Sequence, residues 1–454
     1  MVAAALGTLL ASAGAQAPCL PLNLTCFLEV EAQTPHRHRC ERTVRLALAG
    51  AGLFARKAHL PSLLQDAGDC YELKSVWSLS KQSAERATEL VVSTHGSAPV
   101  HTFWGEEGWH DLLASGVDAV DLVLPIREQP KFVESALQRG LKVISEKPAA
   151  PNTSRARAML AGNDQALSRW FVAENWRFET PFRIAARARQ AGAIGKILAF
   201  SAVSLAEIPA ENPMLSAGSW RTGEASNWVV DTGVHMVAAM RLVLGERLDV
   251  RGVAAHRERP FLHPFDTFSA SLALGSLGVP GSWLFSLSAP RTSPREVKGL
   301  SDLELTVVGS NGSIVATRDR VEIRDREGAV LDKLTSLAGH SVADALRAAA
   351  HSILTGPQAG GNALDSPEVL VSPAEALADL EVVESIVQQG LAQLQAPTEK
   401  ETSDAADPPS DKPLVSKLDF EKLGKGRGRK GKGRGKGKGK AKGRGKLKAE
   451  RSEL

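Results

Sequence analysis

The feature that most constrains this chain is a six-residue stretch, Gly50-Ala51-Gly52-Leu53-Phe54-Ala55, which directly follows the apolar run Val44 to Ala49. The pattern is G-x-G-x-x-A, placed where a strand passes into a helix. A glycine at the first position permits the tight turn. A glycine at the second leaves no Cβ to obstruct a pyrophosphate resting on the helix N-terminus, and Ala55 permits close helix packing. The motif alone is weak evidence, so its surroundings matter.

From Thr43 to about Leu167 short apolar runs alternate with helical patterns, the signature of a parallel α/β sheet. Expected strands are Val44 to Ala49, Leu73 to Ser78, Val100 to Phe103, Ala119 to Leu124 and Val143 to Ser145, with helices such as Ser83 to Val92 and Gln129 to Arg139. The first half therefore reads as a doubly wound Rossmann domain, residues 43–167. From Lys196 onward period-two alternation dominates and predicts a large, mainly antiparallel, open-faced sheet. Its strands are Ile197 to Leu205, Val250 to His256, Thr267 to Ala273, Gly281 to Leu287 and Glu304 to Val308. The last of these turns through Asn311-Gly312, a type I′ signal, into Ile314 to Thr317. Helices near Pro181 to Gln190, Gly233 to Leu244, Ser341 to Leu354 and Pro373 to Gln389 complete a second α/β domain, residues 168–396.

The ends differ from the middle. Gly424 to Lys448 carries 13 Lys/Arg and no acid; subtracting those 13 from the overall +4 leaves the rest of the chain at −9. Gly alternating with Lys or Arg has nothing to bury, so residues 397–454 read as a linker and disordered tail, suited to weak contact with nucleic acid or an anionic surface. Residues 1–42 read as a disordered or targeting leader. Ala15-Gln16-Ala17 fits a signal-peptidase site but no positive segment precedes it. Three of four cysteines (Cys19, Cys26, Cys40) lie in that leader and only Cys70 in the body. This usage predicts no disulfide framework and a cytoplasmic protein, the alternative being the ER lumen if the leader is a signal peptide and Arg451-Ser452-Glu453-Leu454 a retention signal. No later stretch is apolar for 18 residues, so no transmembrane helix is expected.

At the end of the second strand, where NAD enzymes usually carry an acid for the ribose 2′-hydroxyl, stands Ser78-Leu79-Ser80-Lys81. Two hydroxyls and a lysine suit a 2′-phosphate, so NADP is the expected cofactor and NAD the alternative; the plainer reading is that Ser80 caps the next helix. Further on, Ser145-Glu146-Lys147-Pro148 places a charged pair at the carboxyl edge of the sheet, where ligands of such folds bind. Asp231-Thr232-Gly233-Val234-His235 sets Asp and His four apart, on one helical face.

With these motifs the chain resembles the glucose-fructose oxidoreductase/inositol dehydrogenase (Gfo/Idh/MocA) family over roughly Thr43 to Ala396. The likeness also rests on His59-Leu60-Pro61, Leu124-Pro125-Ile126, Ala136 to Gly140, Ala173-Glu174-Asn175-Trp176-Arg177-Phe178 and Trp220-Arg221, all in order. The resemblance implies an NAD(P)-dependent oxidoreductase moving hydride between nicotinamide and the hydroxyl or carbonyl carbon of a sugar, cyclic polyol or dihydrodiol-like substrate. It further implies a homo-oligomer formed through the exposed face of the second sheet. Carried over by position, Lys147, Asp231 and His235 are the catalytic set. A histidine titrates near neutrality when unperturbed and suits the base. Lys147 would hold the reacting oxygen, and Asp231 would orient His235 or bind a substrate hydroxyl. Gly50, Gly52, Leu53, Phe54, Leu124, Pro125, Glu146 and Lys147 would contact the cofactor; Glu174, Asn175, Arg177, Trp220 and Arg221 would frame its nicotinamide end. No metal is implied. Two departures stand out: Pro125-Ile126-Arg127 replaces a Thr-Pro-Asn type turn, and Ala225 to Val230 replaces a glycine-rich one, so that Trp228 is expected to narrow the substrate pocket. Rival readings are a protein that senses a dinucleotide without turning it over, a nucleic-acid-associated protein acting through its basic tail, and biliverdin-reductase-like chemistry.

Overall fold

Val44–Ala49 (β1) is buried at every position but Arg45, as a central strand of a parallel sheet must be, since helices cover both of its faces. A computed structural model describes residues 19–95, 100–162, 166–216, 219–222, 227–289, 302–337, 341–356 and 362–396. The other parallel strands are Tyr71–Ser78 (β2), His101–Trp104 (β3), Ala119–Leu122 (β4), Lys142–Ser145 (β5) and Trp170–Val172 (β6). Their order, β3-β2-β1-β4-β5-β6, is the Rossmann order, and the strand order reverses between β1 and β4, where a ligand crevice opens at the carboxyl ends. Trp77, Trp109 and Phe132 pack edge-on or tilted at 4.9–5.4 Å between centroids and fill one layer of this half. The sixth strand, Trp170–Val172, lies past the expected boundary at Leu167 and pairs with β5, so the first sheet runs further along the chain than its alternation indicated.

The second sheet has eight strands. They are Ile197–Leu205 (β7), Leu248–His256 (β8), Thr267–Leu274 (β9), Pro280–Ser286 (β10), Glu304–Gly309 (β11), Gly312–Ala316 (β12), Arg320–Arg324 (β13) and Val330–Thr335 (β14). Their order is β14-β13-β12-β11-β7-β10-β9-β8, and among the described residues only β7 and β10 of this sheet pair in parallel. The helix Trp228–Leu244, buried along nearly its whole length, packs against Pro373–Gln395, which in turn covers β8. Val203, Leu284 and Val308 lie exposed on the sheet. Strands β13 and β14 were not anticipated; β13 alternates buried Val321 and Ile323 with charged neighbours, a period-two signal that its arginines obscure.

The β11–β12 hairpin exists, but its two central residues are Ser310 and Asn311, and Gly309 pairs with Gly312. A type I′ turn needs positive φ at both central positions, and among the described residues the only non-glycine with positive φ is Ser336, so the turn is not I′. The glycine serves the strand instead: a Cβ on Gly312 (φ 151°) would lie 2.1 Å from the Arg324 carbonyl oxygen.

The largest departure lies at the N-terminal side. Residues 19–42 include an ordered helix, Leu24–Ala32, capped by Asn23, with Leu24, Phe27 and Glu31 buried. Glu31 is ion-paired to Arg183 and Arg187 on the helix Thr180–Gln190. All four cysteines are paired, Cys19 with Cys26 and Cys40 with Cys70, which overturns the expected absence of disulfides. The cytoplasmic placement thereby loses its premise. The possible signal site and the basic tail lie outside the described residues. Among the described residues no helix is long and apolar enough to cross a membrane.

Candidate active site

The glycine turn ends β1 as expected, yet its two glycines meet different constraints. Gly50 has φ of 107°, and a Cβ there would lie 2.1 Å from the Val123 carbonyl oxygen, so the first glycine is needed for the close approach of the chain after β4. At Gly52 a Cβ would meet nothing within 4 Å. Leu53 and Phe54 are exposed beside it while Ala55 is buried. The open space above Gly52, at the start of a helix, fits the pyrophosphate of a dinucleotide. At the end of β2, Ser80 Oγ accepts from the Ser83 backbone N–H at 3.2 Å, so it does cap the helix Lys81–His95. Lys81 lies 3.8 Å from Glu85 and 4.9 Å above the Trp104 ring.

Across the sheet edge, Lys147 follows β5 with its ammonium held at two points, donating to the Asp231 carbonyl oxygen at 2.8 Å and to Asp231 Oδ1 at 3.0 Å. Asp231 Oδ2 accepts from Arg221 Nε at 2.7 Å. Arg221 stacks on Trp220, 4.0 Å from the ring centroid. Burial alone would raise the Asp231 carboxyl, but Lys147 and Arg221 outweigh it and hold the group well below the usual carboxylate range. The carboxylate is thus ionised between two cations.

One turn along the same helix, His235 turns to a different partner. Its Nδ1 lies 2.6 Å from Glu174 Oε1, and its ring stacks on Trp176 at 5.5 Å and 16°. Glu174 is fully buried; desolvation would raise its carboxyl, but His235, Arg177 and Lys147 together lower it. An ionised carboxylate only accepts, so Nδ1 carries a hydrogen, and Nε2 is the ring nitrogen without a partner among the described residues. Of the two roles that the resemblance implies for Asp231, orienting His235 or binding a substrate hydroxyl, the first falls to Glu174, while Asp231 bonds Lys147 and Arg221.

Not every expected residue reaches this centre. Arg177 is buried in an ion pair with Asp379, which also binds Arg241, and its charge reaches the centre only through Glu174. Asn175 donates to Ser341. Trp228 is 1% exposed and donates through Nε1 to the Arg221 carbonyl oxygen, so it supports the Arg221 loop from within the core and does not narrow a pocket. Leu124 packs against Gly50, and Pro125 starts the turn before Gln129–Gln138. A cavity of about 520 Å³, lined by Ile126, Arg127, Asn152, Trp220, Asn227 and Leu391 among others, opens beside Trp220. Residues 225 and 226 lie outside the described ones.

Residues 44–173 match an oxidoreductase family with an NAD-binding Rossmann fold, and residues 182–315 match the Gfo/Idh/MocA C-terminal domain. The chain belongs to the Gfo/Idh/MocA family. It is an NAD(P)-binding oxidoreductase by that membership. A dehydrogenase of Fusarium mangiferae is 29% identical over 359 residues, covering 76% of this chain and 95% of that one. A D-xylose 1-dehydrogenase [NADP(+)] of Haloarcula marismortui is 26% identical over 60% of this chain and 72% of its own length. Among solved structures, an oxidoreductase of Thermotoga maritima superposes with a TM-score of 0.63 at 26% identity, covering 77% of this chain and 97% of that one. Within this Gfo/Idh/MocA member, Lys147, Asp231 and His235 come from the two motifs that carry the catalytic expectation, whereas Glu174 is expected only in the frame around the nicotinamide and Trp176 has no expected role.

Proposed function

We propose that this protein is an NADP-preferring dehydrogenase or reductase acting on a sugar, cyclic polyol or dihydrodiol-like substrate. The observation that carries the reading is His235, fixed through Nδ1 by a buried carboxylate with Nε2 unbonded among the described residues, on the same helix as the Asp231 that fixes Lys147. A bound nicotinamide supplies or accepts the hydride. In the oxidative direction His235 Nε2 accepts the proton of the substrate hydroxyl, and the ammonium of Lys147 holds the oxygen on which negative charge grows. Asp231 keeps that ammonium in place, and Glu174 stabilises the imidazolium that forms. In reduction the proton returns from His235 to the same oxygen.

The 2′-phosphate of NADP would lie against Ser78, Ser80 and Lys81, a preference in line with the relative that carries NADP(+) in its name. Sugar-like substrates are favoured by the same relative. The exposed sheet face with Val203, Leu284 and Val308 would join a second copy, and two disulfides favour passage through an oxidising compartment over a cytoplasmic location. The first experiment is a titration with NADPH and NADH, followed by quenching of Trp fluorescence. Saturable binding that favours NADPH supports the reading; no binding of either sinks it. Lys147→Met and His235→Ala then test the chemistry on substrates found by a sugar and polyol screen.

A further inference from the structure

Behind the lysine lies a buried histidine that the chemistry above leaves unused. His59 stands one turn into the helical segment that follows the glycine turn, and its ring has no exposure to solvent. Nδ1 lies 2.7 Å from Asp121 Oδ2 on β4, and Nε2 lies 2.9 Å from Glu146 Oε1, the residue immediately before Lys147. Ionised carboxylates can only accept, so both ring nitrogens carry hydrogen and the ring is an imidazolium. Burial works against that charge, but Asp121 and Glu146 outweigh it and push the group up to about 10. The ring of Phe54, exposed at the cofactor turn, meets His59 edge-on at 5.4 Å. Gln129 Nε2 secures the same strand end, donating to the carbonyl oxygens of Glu146 and Pro148 at 2.7 and 3.0 Å.

Three elements therefore meet on one ring: the helix after the glycine turn, the end of β4 and the end of β5. A buried charge flanked by two carboxylates is costly to desolvate, and an apolar side chain would fill the same volume at no such cost. What the apolar residue could not do is fix the direction of the Glu146 side chain. We propose that His59 is a positioning residue that locks Glu146, and through it Lys147, in register with the cofactor turn. This rests on the role given to Lys147 above.

Two amide substitutions separate positioning from mere packing, because the Asn amide nitrogen reaches where Nδ1 stands and the Gln amide nitrogen where Nε2 stands. His59→Asn keeps the Asp121 contact and loses the Glu146 contact; His59→Gln does the reverse. With a substrate found by screening, we expect His59→Asn to lower kcat about 30-fold, the KM and fluorescence-measured Kd for NADPH staying within about twofold. His59→Gln should recover kcat to within about fivefold of the parent. Equal kcat in the two variants, or a loss in kcat that merely follows Tm, overturns the proposal. Should His59→Asn not fold, Glu146→Ala removes the same contact from the other side and is expected to give the same kcat loss; a kcat within twofold of the parent overturns it equally. Lys147→Met, run alongside, tells the two readings apart: an active Lys147→Met variant sinks the catalytic assignment, whereas an inactive one with indistinguishable His59 variants sinks only the positioning role.

Discussion

Two buried charge networks in this molecule use the same ingredients to different ends. In the N-terminal segment, Glu31 sits between Arg183 and Arg187; Arg183 donates onward to the Leu364 carbonyl oxygen and Arg187 to Asp365. In the active centre, Asp231 sits between Lys147 and Arg221, and Glu174 holds His235. The first network is closed, its carboxylate and guanidinium groups spent on one another and on backbone carbonyls. The second is open, because among the described residues Nε2 of His235 and one hydrogen of the Lys147 ammonium have no partner and remain for a ligand. Buried ion pairs are weak evidence of function by themselves; what marks the second as chemical is the valence left over.

That contrast breaks most sharply at the level of turnover. His235→Ala and Lys147→Met should each lower kcat per folded molecule by about 10³-fold or more, a loss far beyond any that follows Tm. Glu31→Ala should do the opposite, costing about 3–5 kcal/mol of stability by leaving two buried guanidinium groups uncompensated, with kcat per folded molecule unchanged. Thermal unfolding and steady-state rates on the same preparations check both. If Glu31→Ala lowered kcat of the folded protein, the two networks would not be separate in function.

The next effect concerns what else holds the N-terminal segment. Cys40 and Cys70 are 30 residues apart and join the segment to the turn that leads into β2. Closing a loop of that length restricts the unfolded chain by about 3–4 kcal/mol in the chain-entropy account. Cys40→Ser with Cys70→Ser should lower stability by that order, measured by denaturant unfolding, and leave NADPH affinity within twofold. A smaller effect follows in the active centre from Glu174→Gln, which removes the acceptor that fixes the histidine tautomer. A kcat lower by about 10²-fold with unchanged cofactor affinity is expected.

The same contrast explains what could be read in advance. The glycine turn, Glu146-Lys147-Pro148 and Asp231 to His235 are local patterns whose spacing alone carries their geometry, and of the strands β1 to β12 all but β6 announce themselves by apolar runs or alternation. The pairing of Glu174 with His235 joins residues 61 apart, and that of Glu31 with Arg183 joins residues 152 apart; no spacing rule links them. Four cysteines allow three pairings, and their position near a leader pointed away from any. The helix Leu24–Ala32 did leave a signal: Asn23 as cap, with Leu24, Phe27 and Glu31 on one face. A charged residue at the third of those buried positions makes the face look like surface until its arginine partners are known. The ion pair of Arg177 with Asp379 likewise spans 202 residues, and no spacing rule announces it.

The smallest expected effect is also the one that reads the closed network by itself. His36 is fully buried, 3.2 Å from Thr34 Oγ1 and 3.6 Å from Glu31 Oε1, with the Phe178 ring edge-on at 5.2 Å. Burial is the dominant influence and pulls its pKa down to about 4, Arg183 and Arg37 adding to that and Glu31 opposing it. The folded pKa thus lies below the unfolded value near 6.5, so the unfolded chain takes up the proton first. Stability conferred by the neutral ring is complete above pH 6.5 and is lost as pH falls toward 4. Between pH 6.5 and 5 the loss should be about 1.5 kcal/mol. Glu31, held down at about 2, contributes its own loss only below about pH 4.5, so the two windows separate. Unfolding by urea at pH 7, 6 and 5 should show this decline in the parent and a shallower one in His36→Phe. An equal slope in both would mean that the closed network does not govern acid stability, and would move attention to the carboxylates of the open one.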